Sequence, residues 1–311
     1  MKYFYFNLTL IFILIGLIIL TCLFNKQEHF HKEEINNNLL TFLHGDNSMS
    51  PIKKRFQEKI YPELSAALVV SIDGKNRILF EKNSMDSYPM ASITKLMTAV
   101  IVMDNFNLKD NIEIDDQVIK TEGDAKKLRA GEVYTIKNLL YIMLTESNNE
   151  AAEAFAKKLG RDEFVKKMNQ KAAFLKMANT QYLNPTGLDI IGQEETNKTS
   201  PNDIKNLVIE IAKKYPLIQE ILSQPEYNIY NEAGEARNIK TTNILLSESK
   251  DFLWGKTGFT DKAKDCLVVI SRPPNFSFFE KKYIISIIIG AEDRFKEARG
   301  FKAWITNQFI W

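Results

Sequence analysis

Histidine is almost absent from this sequence. Only His29, His31 and His44 occur among 311 residues, and none follows. A Ser-His-Asp triad, a Cys-His pair or a histidine zinc site is thereby excluded from the main body of the chain. Cysteine is equally scarce. Cys22 lies in an apolar run and Cys266 in a strand-like run, so no disulfide is expected between them. Neither sign of charge dominates: 41 Lys and Arg face 39 Asp and Glu, a net charge of +2. That leaves no field for nucleic acid and no acidic tail. With 45% hydrophobic and 26% charged residues, wholesale disorder is excluded too. Catalysis in the body has to use Ser, Thr, Lys, Tyr, Asp, Glu or Arg. Neither a metal nor a cofactor is expected.

From Tyr3 to Phe24 no residue is charged. As a helix rising about 1.5 Å per residue, the run is long enough for a hydrocarbon core of about 30 Å. It exceeds the usual apolar region of a secretory signal, and Thr21-Cys22-Leu23-Phe24 offers no good cleavage site. An uncleaved transmembrane anchor over residues 1–25 is expected, with a cleaved signal as the alternative. Lys2 and the free amine on the near flank favour that end inside and the body outside. Residues 26–55, with Asn36-Asn37-Asn38 and Gly45-Asp46-Asn47-Ser48, read as a polar stalk. One folded domain, 56–311, follows with no internal repeat.

Within it, Ala66 to Ile72 and Arg77 to Glu81 flank Asp73-Gly74 and predict a hairpin. Cys266 to Ile270 and Tyr283 to Ile289 are two more apolar strands, and a helix is expected from about Asp293 to Asn307. Between these ends, 92–105, 135–146, 150–159, 162–177 and 201–214 carry helical spacing, with Gly160 ending one stretch. The expected fold is α/β in the α+β sense: a mainly antiparallel sheet built from both ends of the domain, with an inserted helical region. A cleft between the two is where a site belongs.

Without histidine, a serine can be activated by a lysine one helical turn away, since residues i and i+3 share a face. Ser-x-x-Lys occurs at Ser50–Lys53, Ser92–Lys95 and Ser247–Lys250. Ser50 falls in the stalk and Ser247 in a polar loop. Only Ser92 opens an apolar helical run, although a helix-capping serine followed by a solvated lysine would look the same. Two further motifs decide between these. Lys256-Thr257-Gly258 stands just before the Cys266 strand. Of two Ser-x-Asn occurrences, Ser147–Asn149 and Ser200–Asn202, only the first sits in a joint between helices and in chain order between the other motifs. Serine-lysine, serine-asparagine and lysine-threonine-glycine in that order mark β-lactamases and penicillin-binding proteins.

Here the chain resembles the serine-type D-alanyl-D-alanine carboxypeptidases, the low-molecular-mass penicillin-binding proteins. The likeness runs from about residue 64 to 311. It rests on Tyr88-Pro89-Met90-Ala91-Ser92-Ile93-Thr94-Lys95, on Gly255-Lys256-Thr257-Gly258-Phe259-Thr260, on Leu183-Asn184-Pro185-Thr186-Gly187 and on Asn243-Ile244-Leu245-Leu246. It implies a β-lactamase/transpeptidase-like fold. It implies Ser92 as the acyl-enzyme nucleophile, Lys95 as its base, Ser147 as proton relay and Asn149 as holder of the substrate amide. Lys256, Thr257, Gly258 and the Phe259 backbone would bind substrate, and Arg294 would receive its carboxylate. The implied partners are a peptidoglycan stem peptide ending in D-Ala-D-Ala, β-lactams as inhibitors, and the membrane through the N-terminal segment; a monomer is expected. A D,D-endopeptidase, a β-lactamase and an idle penicillin-binding sensor are the other readings. The chain departs from the family's pattern at Asn148, where a small residue is common, at Lys264-Asp265, where a glycine-containing pair is usual, and at Thr186, where histidine is usual.

Overall fold

The computed structural model describes residues 51–54, 60, 62–72, 76–122, 128–189, 192, 194–274 and 282–311. The expected anchor and nearly all of the expected stalk lie outside them. Among the described residues no helix is long and apolar enough to cross a membrane.

Five strands form the main sheet: β1 (Ala66–Ile72), β2 (Arg77–Lys82), β3 (Phe252–Thr260), β4 (Lys264–Ser271) and β5 (Tyr283–Ala291). They pair antiparallel in the order β3-β4-β5-β1-β2. The first strand of this sheet is therefore enclosed between its last strand and β2, with Ser286 opposite Val69 and Ile72 opposite Tyr283. Both ends of the domain build one sheet, as expected.

The central strands read as continuous apolar runs because both faces are covered. Alternate residues serve opposite cores. On one face Leu68, Val70, Val268, Ile270, Ile285 and Ile287 meet the helical region. On the other, Ala67, Val69, Leu267, Val269, Ile284 and Ile288 meet Phe301, Ile305 and Phe309.

The inserted region holds α1 (Thr94–Asn105), α2 (Ile136–Thr145), α3 (Asn149–Leu159), α4 (Arg161–Phe174), α5 (Pro201–Lys214) and α6 (Pro216–Leu222). A one-turn α7 (Leu245–Glu248) and the C-terminal α8 (Arg294–Gln308) complete the set. Their starts follow sequence chemistry. Thr135, Asn148, Ser200 and Asp293 each accept a backbone N–H of the first turn of α2, α3, α5 and α8. Gly160, at φ +94, separates α3 from α4. Ile52–Lys53, at the end of the expected stalk, pairs with Phe309–Ile310 and so joins the folded body. Ser247 and Lys250, expected in a loop, sit at and just beyond α7 and are exposed to solvent, while Ser200–Asn202 belongs to the start of α5. Neither competing serine is bonded to a buried lysine: Ser200 accepts the Asp203 N–H as a helix cap, and Lys250 is exposed.

Candidate active site

Ser92 occupies a 3-10 turn, Ala91–Ile93, that runs into α1. Ala91 takes a left-handed backbone (φ +46), which turns the chain sharply before the serine. Ser92 caps neither helical element. Its Oγ lies 2.8 Å from Lys95 Nζ. The bland alternative of a capping serine and a solvated lysine thus fails, because Lys95 is fully buried.

Lys95 Nζ has three oxygen neighbours: Ser92 Oγ at 2.8 Å, Asn149 Oδ1 at 2.6 Å and the Thr186 carbonyl at 2.7 Å. The two carbonyl-type oxygens can only accept. A neutral amine gives them its two N–H groups and is left with one lone pair. That lone pair then faces Ser92, the one partner with a proton to give. Burial, and next the charge of Lys256, hold Lys95 well below the usual lysine range, with Glu153 acting in the opposite sense. The Asn149 carboxamide is fixed from its other end, where Nδ2 donates to the Glu122 carbonyl at 2.8 Å.

Ser147 stands in the joint between α2 and α3 with φ +61. Asn148 holds the joint by accepting the Ala151 N–H at 2.7 Å. That gives the unusual asparagine a local reason: it caps α3. On the other side Glu146, nearly buried, pairs with Arg237 at 2.6 Å. Lys256 on β3 reaches this joint, donating to Ser147 Oγ at 2.9 Å and to the Thr257 carbonyl at 2.8 Å. It is itself buried, and burial, with Arg294 as the second cause, brings its pKa down to about 7. The Thr257 hydroxyl bonds that of Thr242. Gly258 runs against the nucleophile turn, where a Cβ would lie 2.9 Å from Ser92 N. Only glycine permits that approach. Phe259, next in the strand, has an exposed side chain.

The three motifs therefore converge, with two serines each hydrogen-bonded to a buried lysine. A family model described as D-alanyl-D-alanine carboxypeptidase matches residues 55–292. The chain belongs to that family. Two curated relatives are a D-alanyl-D-alanine endopeptidase of Pseudomonas aeruginosa, 29% identical over 78% of this chain and 77% of its own length, and the D-alanyl-D-alanine carboxypeptidase DacF of Bacillus subtilis, 31% identical over 76% of this chain and 60% of its own. Among solved structures, penicillin-binding protein D2 of Listeria monocytogenes in its ampicillin-bound form is similar with TM-score 0.66 and 27% identity, covering 80% of this chain and 99% of that one. A D-alanyl-D-alanine carboxypeptidase structure from Mycobacterium tuberculosis shares the fold with TM-score 0.71.

In this carboxypeptidase-family chain the remaining site residues fall as follows. Arg294, at the start of α8, reaches β3: Nη1 donates to the Gly258 carbonyl at 2.5 Å, and Nη2 pairs with Asp265 at 2.9 Å. It is neither a bare surface arginine nor an unengaged one. Thr186 is buried, and its hydroxyl donates to Asn184 Oδ1 at 2.9 Å. The service to the site comes from its carbonyl, which composition does not reveal. Gly187 brings that loop onto the nucleophile turn: at φ +83 a Cβ would lie 1.9 Å from the Ala91 carbonyl oxygen. Buried Asn197 ties the loop down, donating to Thr94 Oγ1 at 3.0 Å and to the Asn184 carbonyl at 2.8 Å. Sequence reasoning missed Asn197, the Thr186 carbonyl, the Glu146–Arg237 pair and the Asp265–Arg294 pair. Asn184-Pro185-Thr186-Gly187 signals the Thr186 loop, and the departure at Lys264-Asp265 together with Arg294 signals the last pair; Asn197 and Glu146–Arg237 carry no signal.

Proposed function

We propose that this serine hydrolase is a monomeric, membrane-tethered D,D-carboxypeptidase whose body works outside the cytoplasmic membrane and removes the terminal D-alanine of peptidoglycan stem peptides. The contacts of Lys95 are the observation that carries this: they aim its one lone pair at Ser92. Ser92 Oγ attacks the carbonyl carbon of the penultimate D-alanine while its proton passes to Lys95 Nζ. The N–H groups of Ser92 and Phe259 receive the developing oxyanion, a role that the close approach of Gly258 to Ser92 supports. Ser147 Oγ hands a proton to the leaving D-alanine amine and is replenished from the lysine pair. Asn149, with one amide N–H still available, holds the substrate's amide, and Lys256 and Thr257 receive the end of the peptide. Water then attacks the ester, gives its proton to Lys95, and Ser92 leaves with a proton restored. All these groups come from one chain, which supports a monomer. The uncharged run from Tyr3 to Phe24 supports the tether.

The test uses a diacyl-L-Lys-D-Ala-D-Ala peptide and a fluorescent penicillin. One D-alanine should be released per peptide, and the penicillin should form a lasting ester on Ser92. Ser92→Ala should abolish both while circular dichroism stays unchanged. A penicilloyl ester keeps its leaving amine tethered against the approaching water, so it should persist. Rapid repeated penicillin hydrolysis without D-alanine release would instead make the chain a β-lactamase, and an adduct mapped to Ser50 or Ser247 would remove the nucleophile assignment. Retention with membranes in high salt, and an extracytoplasmic reporter fused after Trp311, are expected for the tether.

A further inference from the structure

A carboxylate is best gripped by two parallel N–H groups of one guanidinium. Arg294 is the guanidinium bonded to β3 beside the nucleophile turn, and its donors can be accounted for one at a time. Nη1 donates to the Gly258 carbonyl at 2.5 Å and lies 3.4 Å from the Cys266 carbonyl. Nη2 is paired with Asp265 Oδ1 at 2.9 Å. Nε is buried, with no partner among the described residues. Both pairs that could form a fork, Nη1 with Nη2 and Nε with Nη2, therefore have one member occupied or sealed away. The Asp265 carboxylate also takes the Arg294 backbone N–H at 3.2 Å, and both side chains are 17% exposed. The positive charge at this end of the cleft is matched by a negative one a bond length away. Nor does Lys256 offer a free ammonium, since two of its three donors serve Ser147 and Thr257.

We infer that Asp265 is a specificity-determining residue: by occupying Arg294 it frees the cleft from requiring a carboxylate on the leaving amine, so that the chain also cleaves D-alanyl amides whose leaving group carries an amidated carboxyl or none, as in peptide cross-links. This rests on the function proposed above and names its substrate class. The bond broken is the same D-alanyl amide; only the group on the departing amine differs, and water supplies the same O–H and H to the two products. A residue's preference for an anionic ligand should then appear when Asp265 loses its charge.

The experiment measures kcat/KM for diacyl-L-Lys-D-Ala-D-Ala and for its C-terminal amide, in the wild type and in Asp265→Asn. The wild type is expected to turn over the amide within about tenfold of the acid. Asp265→Asn is expected to raise the acid-to-amide ratio by about fivefold or more, the scale of one released charge-assisted hydrogen bond. A wider gap in the wild type, or a smaller change in the variant, overturns the inference. Endpoint labelling of Ser92 by fluorescent penicillin shows that the variant is folded, and the wild-type ratio stands even if it is not. If both peptides resist a wild-type enzyme that still takes the label, the carboxypeptidase reading fails and takes this inference with it. An unchanged ratio in an active enzyme overturns this inference and leaves the carboxypeptidase reading standing.

Discussion

Lys95 and Lys256 are both buried with depressed pKa values, and this fixes how the protein answers to pH. Lys256, at about 7 in the fold, titrates near 10.4 when unfolded. Between those values the unfolded chain binds more protons, so unfolding free energy rises with pH across the window, and the penalty is complete below about 7. The melting temperature should therefore rise from pH 7 to pH 9, and Lys256→Met should flatten that rise. Activity should rise with pH as Lys95 loses its proton, through an apparent pKa below the ordinary lysine range. Lys95→Arg should be nearly inactive, since guanidinium stays protonated; substantial D-alanine release by that variant would remove Lys95 as the base. Lys264 shows a different kind of strain. It is exposed, yet holds φ +53, which disfavours an L side chain by about 1–2 kcal/mol, partly offset by the greater freedom of an unfolded glycine. Lys264→Gly should raise the urea midpoint, by about 0.5–1 kcal/mol of stability, with acylation unaltered. Ser92 and Lys95 could be found from letters alone because helical geometry places i and i+3 together. The Thr186 carbonyl could not, because every residue has one and only the folded loop decides which faces the lysine.

At the scale of elements, the joint between α2 and α3 depends on its cap. Asn148→Ala should lose about 1 kcal/mol of stability, and Asn148→Gly only a few tenths. Because the same joint carries Ser147 in a left-handed conformation, kcat should fall in Asn148→Ala more than KM rises, and Asn148→Ser should restore it; equal effects of all three substitutions would mean that the cap does not position Ser147. The apolar strands β1, β4 and β5 and the long helices were legible from their runs and periods. Strand β3 was not. Its sequence, Phe252-Leu253-Trp254-Gly255-Lys256-Thr257-Gly258-Phe259-Thr260, breaks the apolar run with two glycines and a lysine. Those breaks are the site itself: close backbone approach at Gly258 and a buried cation at Lys256 replace the alternation a strand usually shows. Hairpin Glu226–Tyr230 with Ala236–Lys240 and α6 were also unread, being short and largely polar or opened by proline.

For the whole molecule, the two-strand ribbon that joins Ile52–Lys53 to Phe309–Ile310 closes the face opposite the cleft. Phe309 is buried there against Trp304, with ring centroids 5.5 Å apart. A chain ending at Gln308 should lose roughly 3 kcal/mol, with a lower melting temperature but retained penicillin labelling at low temperature; full loss of labelling there would show that the ribbon shapes the cleft as well as the core. The enclosure of β1 between β5 and β2 has a consequence in time. A ribosome delivers Ser92 well before Lys256, by on the order of ten seconds at common rates, and β5 later still. Until then β1 has no partner on one side, and the nucleophile turn has no strand against it. A chain cut short before β5 is therefore expected to take no penicillin label at Ser92, so that nearly the whole polypeptide has to exist before its serine can react.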